Sequence, residues 1–411
     1  MKLQIRPIII AIAMSATLVS CAKQVTEDDD TIEQRALDSW IAKYVPHAQK
    51  LGDYDIYYEV IEPAQPGAKK ISHTNWIFAD YTIKDLDGNI IYNRDEDVAR
   101  QQGQYSKYTR YVPDYMGIPD DITAMSAMQG MYYGYIDMKE GEVRRLYIPS
   151  KYGYGGGSLQ NSYGYGGQYS LGAYSPLILD GLVAKEVITD PKQRQKDIVQ
   201  EIALRWKEEN PGKLMAIKDH FYMQILKREE KSDTIPVDKN VKFHFVGRYA
   251  DDGAVFDTNI DTVWVNSFGE VRKYDPTAAL TMTRKKDMNP ESMPELTFSF
   301  LIPELRYGDS VRVVTISDYA YQDKGKPGYR TTKISTDGDD FAALLLLSYM
   351  MGESGQESLY YSSEDYWNMM YFMGASAKNE EVTEPVPEVK VYTPVMFTFV
   401  VMGDPDLEEE E

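Results

Sequence analysis

Gly134-Tyr135-Ile136-Asp137-Met138-Lys139-Glu140-Gly141-Glu142 runs on as Val143-Arg144-Arg145-Leu146-Tyr147-Ile148-Pro149 and, after Ser150-Lys151, as Tyr152-Gly153-Tyr154-Gly155. The same landmarks return further along the chain. Leu305-Arg306-Tyr307-Gly308-Asp309-Ser310-Val311-Arg312 leads to Asp318-Tyr319-Ala320-Tyr321, so Gly141 recurs as Gly308 and Tyr154 as Tyr321, both displaced by 167 residues. Upstream, Ile56-Tyr57-Tyr58-Glu59-Val60-Ile61 recurs as Phe221-Tyr222-Met223-Gln224-Ile225-Leu226, and Asp87-Gly88 as Asp252-Gly253, both displaced by 165. Pro176-Leu177-Ile178-Leu179 and Pro394-Val395-Met396-Phe397 are displaced by 218. A nearly constant offset argues for two copies of one domain. The late jump from 167 to 218 places one large insertion in the second copy, after Tyr321.

Within each copy the segments read as strands. Asn75 to Lys84 leads through Asp87-Gly88 to Ile90-Ile91-Tyr92, and Val241 to Arg248 leads through Asp251-Asp252-Gly253 to Val255-Phe256. Asp85-x-Asp87-Gly88 resembles the start of a calcium loop but lacks the remaining ligands and the distal Glu, so it reads as a hairpin turn. Thr31-x-x-Gln34 reads as a capping box opening an amphipathic helix, with Leu37, Trp40, Ile41 and Tyr44 on one stripe and Pro46 at its end. This is a docking or spacer helix. Asp190-Pro191 supplies an N-cap and a first-turn proline for a linker helix whose Ile198, Ile202 and Trp206 share a face until Asn210-Pro211-Gly212.

The expected organisation is a signal segment at 1–20, a tether and N-terminal helix at 21–50, and a first domain at 54–188. A linker helix at 189–218, a second domain at 219–403 with an insertion at about 322–391, and an acidic tail at 404–411 complete it.

The 411 residues, 43% hydrophobic and 26% charged, form an ordinary globular mixture. A net charge of −20 offers no basic face for nucleic acid. One Cys excludes an intramolecular disulfide, a thiolate zinc site or an iron–sulfur cluster, and four scattered His argue against a His-based metal or triad enzyme. Lys2 and Arg6 precede a thirteen-residue, mostly apolar run from Pro7 to Val19, too short for a membrane-spanning helix but suited to a secretory signal. Leu18-Val19-Ser20-Cys21 resembles a bacterial lipoprotein cleavage box, which makes Cys21 the expected lipidation site and the cell envelope, at the outer membrane, the expected location. Glu27-Asp28-Asp29-Asp30 follows as a solvated tether, and in some bacteria such acids resemble a surface-export signal.

The stretch from Gly134 to Gly155 resembles the core signature of FKBP-type peptidyl-prolyl isomerases: a short helix, Met-x-x-Gly, a basic-apolar strand and a Tyr-Gly turn. Val241-Lys242-Phe243-His244-Phe245-Val246-Gly247 and Asp252-Gly253-Ala254-Val255-Phe256-Asp257-Thr258 are similar to the family's first hairpin. The resemblance covers roughly residues 54–186 and 219–402. It implies an α+β fold of two FKBP-like domains joined by a linker helix. Each would be a curved antiparallel sheet around a short helix, with a shallow pocket between them. It also implies prolyl isomerisation, which breaks amide resonance against a barrier of about 18–20 kcal/mol and makes no new bond. An apolar cavity that favours the twisted amide is sufficient, so no cofactor or metal is expected.

Carried over residue by residue, the resemblance gives the second copy a catalytic set. Phe256 and Asp257 match the family's Phe-Asp pair, Tyr321 its flap tyrosine and Phe397 its last-strand aromatic. Phe245 stands where a Tyr is usual, and Phe298 near the floor position generally held by Trp. In the first copy Tyr81 and Tyr154 match, while Ile91 replaces the Phe, Tyr92 the Asp, Met131 the floor Trp and Leu179 the last-strand aromatic. Ala127 and Met128 sit where the family offers backbone groups to the peptide. The second copy is therefore expected to be the more active. Phe243, Val255 and Val313 read as plain core.

Two departures widen the functional choice. The first flap continues as a Gly/Ser/Tyr-rich run through Tyr163, Tyr165, Tyr169 and Tyr174, either a flexible loop or an adhesive rim. The second copy's insertion carries the apolar run Phe341 to Met351 and Tyr366-Trp367-Asn368-Met369-Met370-Tyr371-Phe372-Met373. Met-rich apolar surface suits varied partners, and SlyD-type isomerases carry a chaperone module at a similar flap position. Proline-containing or unfolded polypeptides are the expected partners, with a membrane reached through the lipid anchor. The alternatives are a non-catalytic holdase and a surface lipoprotein capturing glycans or host proteins.

Overall fold

The computed structural model describes residues 27–103, 105–157, 170–228, 232–269, 279–286, 295–322, 324–334 and 380–403. The chain divides into two compact units: Met1–Gln104 with Pro113–Val187, and Tyr105–Val112 with Ile188–Glu411. The short segment Tyr105–Val112, inside the stretch read as the first domain, thus belongs to the second unit. The signal segment, Cys21, the loop from Tyr163 to Tyr169, the insertion's Met-rich runs and the acidic tail lie outside the described residues.

In the first unit the elements are α1 (Asp29–Tyr44), β1 (Gln49–Lys50), β2 (Tyr57–Glu62), β3 (Trp76–Lys84), β4 (Ile90–Tyr92) and α2 (Glu96–Gln101). β5 (Asp114–Gly117), α3 (Gln129–Tyr135), β6 (Val143–Ile148) and β7 (Leu177–Ile188) follow. The second unit opens with α4 (Pro191–Glu209), β8 (Leu214–Lys218), β9 (Phe221–Lys227), β10 (Asn240–Tyr249), β11 (Val255–Thr258) and α5 (Asp261–Phe268). It continues with β12 (Leu280–Thr283), α6 (Glu295–Leu301), β13 (Ser310–Thr315), β14 (Tyr329–Ile334), β15 (Glu380–Pro385) and β16 (Val395–Val401).

The two sheets follow one path. The first runs β1-β2-β6-β7-β3-β4 with β5 on β3, and the second runs β8-β9-β13-β16-β10-β11 with β12 on β10. Registers match as well. Ile83 faces Tyr92 as Gly247 faces Asp257, and Ala79 faces Asp114 as Phe243 faces Leu280. Leu146 faces Leu179 as Val313 faces Phe397. The α+β architecture and the duplication stand. β14 and β15 form a separate antiparallel pair at the stem of the insertion.

Period-two alternation sends each strand's side chains to two different cores. On the inner face, Leu146, Ile148, Leu177 and Leu179 pack with Met131 and Tyr135 of α3. The second unit repeats this with Val313, Phe397 and Phe399 against Phe298 and Leu301 of α6. Gly130 and Gly134 let α3 approach closely, since a Cβ there would lie 2.6 Å from Ile148 and 2.2 Å from Leu146. On the outer face, Tyr147 and Ile178 receive Leu37 and Ile41 of α1, while Val314 and Ile316 receive Val199, Ile202 and Trp206 of α4. Each fully buried side chain of this kind contributes roughly 1.5–3 kcal/mol.

That equivalence bears on both long helices: α1 docks on the first sheet, as its apolar stripe indicates, and α4 does more than join the two copies. α4 is no mere linker, because it holds the place in the second unit that α1 holds in the first. Ser150 donates its backbone N–H (2.7 Å) and hydroxyl to the Glu33 carboxylate, and Ser317 donates its N–H to Gln195 Oε1 at 2.8 Å. Tyr57 likewise donates to Asp38 and Tyr222 to Gln200, both at 2.8 Å. β8, inside the stretch read as linker, is already a strand of the second sheet. The cap of α1 is Asp28, whose carboxylate accepts the Thr31 N–H at 2.8 Å, and not Thr31. Asp28 wins because an ionised acceptor at the helix start satisfies an orphan donor and faces the positive end of the helix dipole. Asp190 and Pro191 cap α4 as the sequence indicates. Asp85 accepts the N–H groups of Asp87 and Asn89, closing a turn on itself. Among the described residues no acidic or His/Cys cluster is arranged for a metal, and no helix is long and apolar enough to cross a membrane.

Candidate functional site

In the second unit β10, β11, β16 and the turn after β13 converge between sheet and short helix. The Phe256 ring lies 5.7 Å from Phe397 and 5.8 Å from Tyr321, edge to face in both cases, and 5.2 Å from Tyr249. Phe245 lies 6.3 Å from Phe397. Phe298 belongs to the same core but stacks on Phe243 at 3.8 Å and leans on Phe399, so it is not beside Phe256. Gly247 makes room for the aromatic pair, since a Cβ there would stand 2.7 Å from Phe256 and 3.0 Å from Phe397. An isolated Gly in an otherwise regular strand was the available signal for that close approach.

The sequence reading required these rings to line an open hollow. Instead Phe256, Phe298 and Phe397 are 0–1% exposed, and Phe245 and Asp257 are buried. The cover is the return limb of the insertion. Lys326 and Val389 exchange backbone hydrogen bonds of 2.7 and 2.9 Å, and the Lys326 ammonium donates to the Pro387 carbonyl at 3.0 Å. Tyr249 donates its hydroxyl to the Glu388 carbonyl. Val389 is buried in the same core as Phe256. Gly325, at φ 68°, permits the contact, because a Cβ there would sit 2.5 Å from the Val389 carbonyl oxygen. Asp257 accepts the Thr258 N–H at 2.9 Å and stands 4.0 Å from the Lys326 ammonium. Closure of this rim by Tyr249, Lys326 and Val389 was not legible in the sequence, since all three lie outside the matched motif.

The matching positions of the first unit carry smaller buried side chains and more exposed tyrosines. Ile91, Met128, Met131 and Leu179 are buried, whereas Tyr81, Tyr92, Tyr154 and Ala127 remain partly exposed. Tyr81 stacks on Tyr92 at 5.8 Å. The Arg94 guanidinium donates to the Tyr92 hydroxyl at 2.8 Å and lies 3.8 Å from Asp114. Burial, then the neighbouring Tyr92 and Asp114, hold the Tyr81 phenol well above its ordinary pKa; burial, then Tyr92, raise that of Tyr154. Both therefore remain neutral O–H donors at physiological pH. Met128 takes a left-handed backbone at φ 57° and gives its N–H to the Gly153 carbonyl at 2.7 Å. That group ties the start of α3 to the flap and is not left pointing at a peptide, as the resemblance implied.

No protein family and no curated protein matches the chain. Solved structures do. The chain is similar to the three FKBP domains of wheat FKBP73, at 12% identity over 87% of this chain and 98% of that one, with a TM-score of 0.26. It is similar to a peptidyl-prolyl cis-trans isomerase from Pseudomonas syringae pv. tomato, at 17% identity over 40% of this chain and 98% of that one, with a TM-score of 0.28. It is also similar to FkpA from Escherichia coli, at 17% identity over 46% of this chain and 74% of that one, with a TM-score of 0.28. At these values the likeness assigns no residue and no activity.

Proposed function

We propose that the protein is an FKBP-type folding helper, a prolyl isomerase that binds exported polypeptides at the cell envelope, held there by a lipid on Cys21. The observation that carries this reading is the edge of the first unit's core, where partly exposed Tyr81, Tyr92 and Tyr154 pack against buried Ile91, Met128, Met131 and Leu179. An apolar surface of this kind suits a prolyl ring. Neutral phenols at the rim hydrogen-bond the peptide carbonyl, and its removal from water weakens the charge-separated resonance form that resists rotation. No nucleophile or general base is needed. The enclosed Phe256 set is a second ring cluster that must open to work, and its enclosure favours a second reading, a holdase without catalysis.

Proline-limited refolding of a reporter protein separates the two. The isomerase reading expects acceleration by the full chain, retained in Phe256→Ala and reduced in Tyr154→Phe and Ile91→Ala. Suppressed aggregation without acceleration leaves the holdase. Loss of membrane association in Cys21→Ser tests the anchor.

A further inference from the structure

Behind the second sheet, on the face that receives α4, a cleft of about 480 Å³ is lined by Arg248, Arg312, Thr398, Met396, Ile202 and Trp206. Its counterpart in the first unit is closed by ionic contacts. There Asp180 of β7 takes a 2.7 Å hydrogen bond from Arg145 of β6 and a 2.5 Å one from Lys84 of β3. Burial pushes the Asp180 carboxyl up, but those two cations outweigh it and hold it below the ordinary range. The matching registers place Arg312 at the position of Arg145, Arg248 at that of Lys84 and Thr398 at that of Asp180. The second unit keeps both cations but has Thr398 in place of the acid between them, and Arg312 is met from one side by Glu209 of α4.

Asp251, Asp252 and Glu209 also line the cleft, each met by an arginine, and Arg205 lies 4.0 Å from Glu201. Arg110 donates to Asp251 at 2.8 Å and to Asp252 at 2.6 Å, and Arg312 donates to Glu209 and, at 2.7 Å, to Gln224. Arg248 donates only to the neutral Gly253 carbonyl at 2.9 Å and has no acidic partner among the described residues. The floor beside it is apolar. Trp206 is buried, with the Arg312 guanidinium 4.3 Å over its ring, and Met396 is partly exposed.

From this we infer that the cleft is a binding site for a carboxylate carried next to an apolar group, as at the end of a polypeptide finishing in an apolar residue. The carboxylate stands where Asp180 stands in the first unit, between Arg248 and Arg312, and the apolar group lies on Trp206 and Met396. Arginine suits this task because its planar donors match a carboxylate in pairs.

The test titrates the full chain by calorimetry with N-acetyl-L-phenylalanine, N-acetyl-L-phenylalaninamide and inorganic phosphate. The acid is expected to bind at least about tenfold more tightly than the amide, which has lost a charge-assisted pair. Arg248→Gln should weaken the acid about tenfold, and Thr398→Asp, which restores the first unit's internal carboxylate, should abolish binding with the circular dichroism spectrum unchanged. Equal affinity for acid and amide, or binding indifferent to both substitutions, overturns the assignment. So does phosphate binding as tightly as the acid, because charge alone would then explain the site.

Discussion

The two units share one strand order and one set of registers, yet they have spent their side-chain volume differently. In the first, Ile83 and Ile91 both carry branched side chains into the inner core. In the second, the same two positions hold Gly247 and Phe256, and the ring occupies the space that the glycine vacates. A close-packed interior conserves total volume more strictly than it conserves any one residue. Duplicated topology therefore does not duplicate the hollow. One unit keeps three partly exposed tyrosines over a small apolar floor, and the other packs that place with phenylalanine, covers it with Val389 and leaves only Tyr321 of the set partly exposed.

The sharpest way to break that comparison is Phe256→Ala. It is expected to cost about 3–5 kcal/mol in urea denaturation of the second unit, the usual cost of emptying a buried aromatic site. A loss under about 1 kcal/mol would show that the ring is not sealed in. Next, Gly247→Ala should cost about 1–3 kcal/mol, because its Cβ meets the Phe256 ring. The double change Gly247→Ile with Phe256→Ile, which installs the first unit's pair, should recover part of that loss. Strict additivity in the double-mutant cycle would deny that the two positions share one space.

Smaller effects come from the ionic differences. Asp180→Thr strips Lys84 and Arg145 of their shared acid and should destabilise the first unit by about 1 kcal/mol at neutral pH. Because the folded Asp180 has a lowered pKa, its contribution is present above the unfolded value and fades as pH falls through the folded one. Glu33 has the opposite sign. Burial raises its pKa and outweighs the two Ser150 hydrogen bonds that lower it. Its favourable contribution is full below the unfolded pKa near 4.5 and is lost as pH rises through the higher folded value. Glu33→Gln, which copies Gln195, should flatten that part of the pH–stability profile, and thermal melts across the acid range will register it. An unchanged slope would remove Glu33 as its source.

Much of this was legible in the chain itself. Repeated Gly, Tyr and Asp-Gly landmarks at near-constant offsets marked the duplication, since turns and tight crossings demand particular residues at particular spacings. Period-two alternation gave the strands their two faces, and Asp190-Pro191 gave α4 its start. The capping box at Thr31 was misplaced by three residues because Asp28 offers a stronger acceptor. α1 and α4 could not be recognised as equivalent, because Glu33 and Gln195, or Leu37 and Val199, are matched by what they touch and not by what they are.

Of the candidate sites, sequence order was enough to bring Phe256, Phe397 and Tyr321 together, for local pattern and strand pairing set their positions. Whether that cluster opened to water was another matter. It depended on where Val386–Val389 returned after a long insertion, and on Gly325 letting that limb come close. The pairing of Arg248, which has no acidic partner among the described residues, with Arg312 across Thr398 likewise emerges only when β10, β13 and β16 lie side by side. A sequence fixes which groups a chain carries and their local geometry, but exposure and charge balance are sums over residues distant in the chain, and only the folded arrangement performs them.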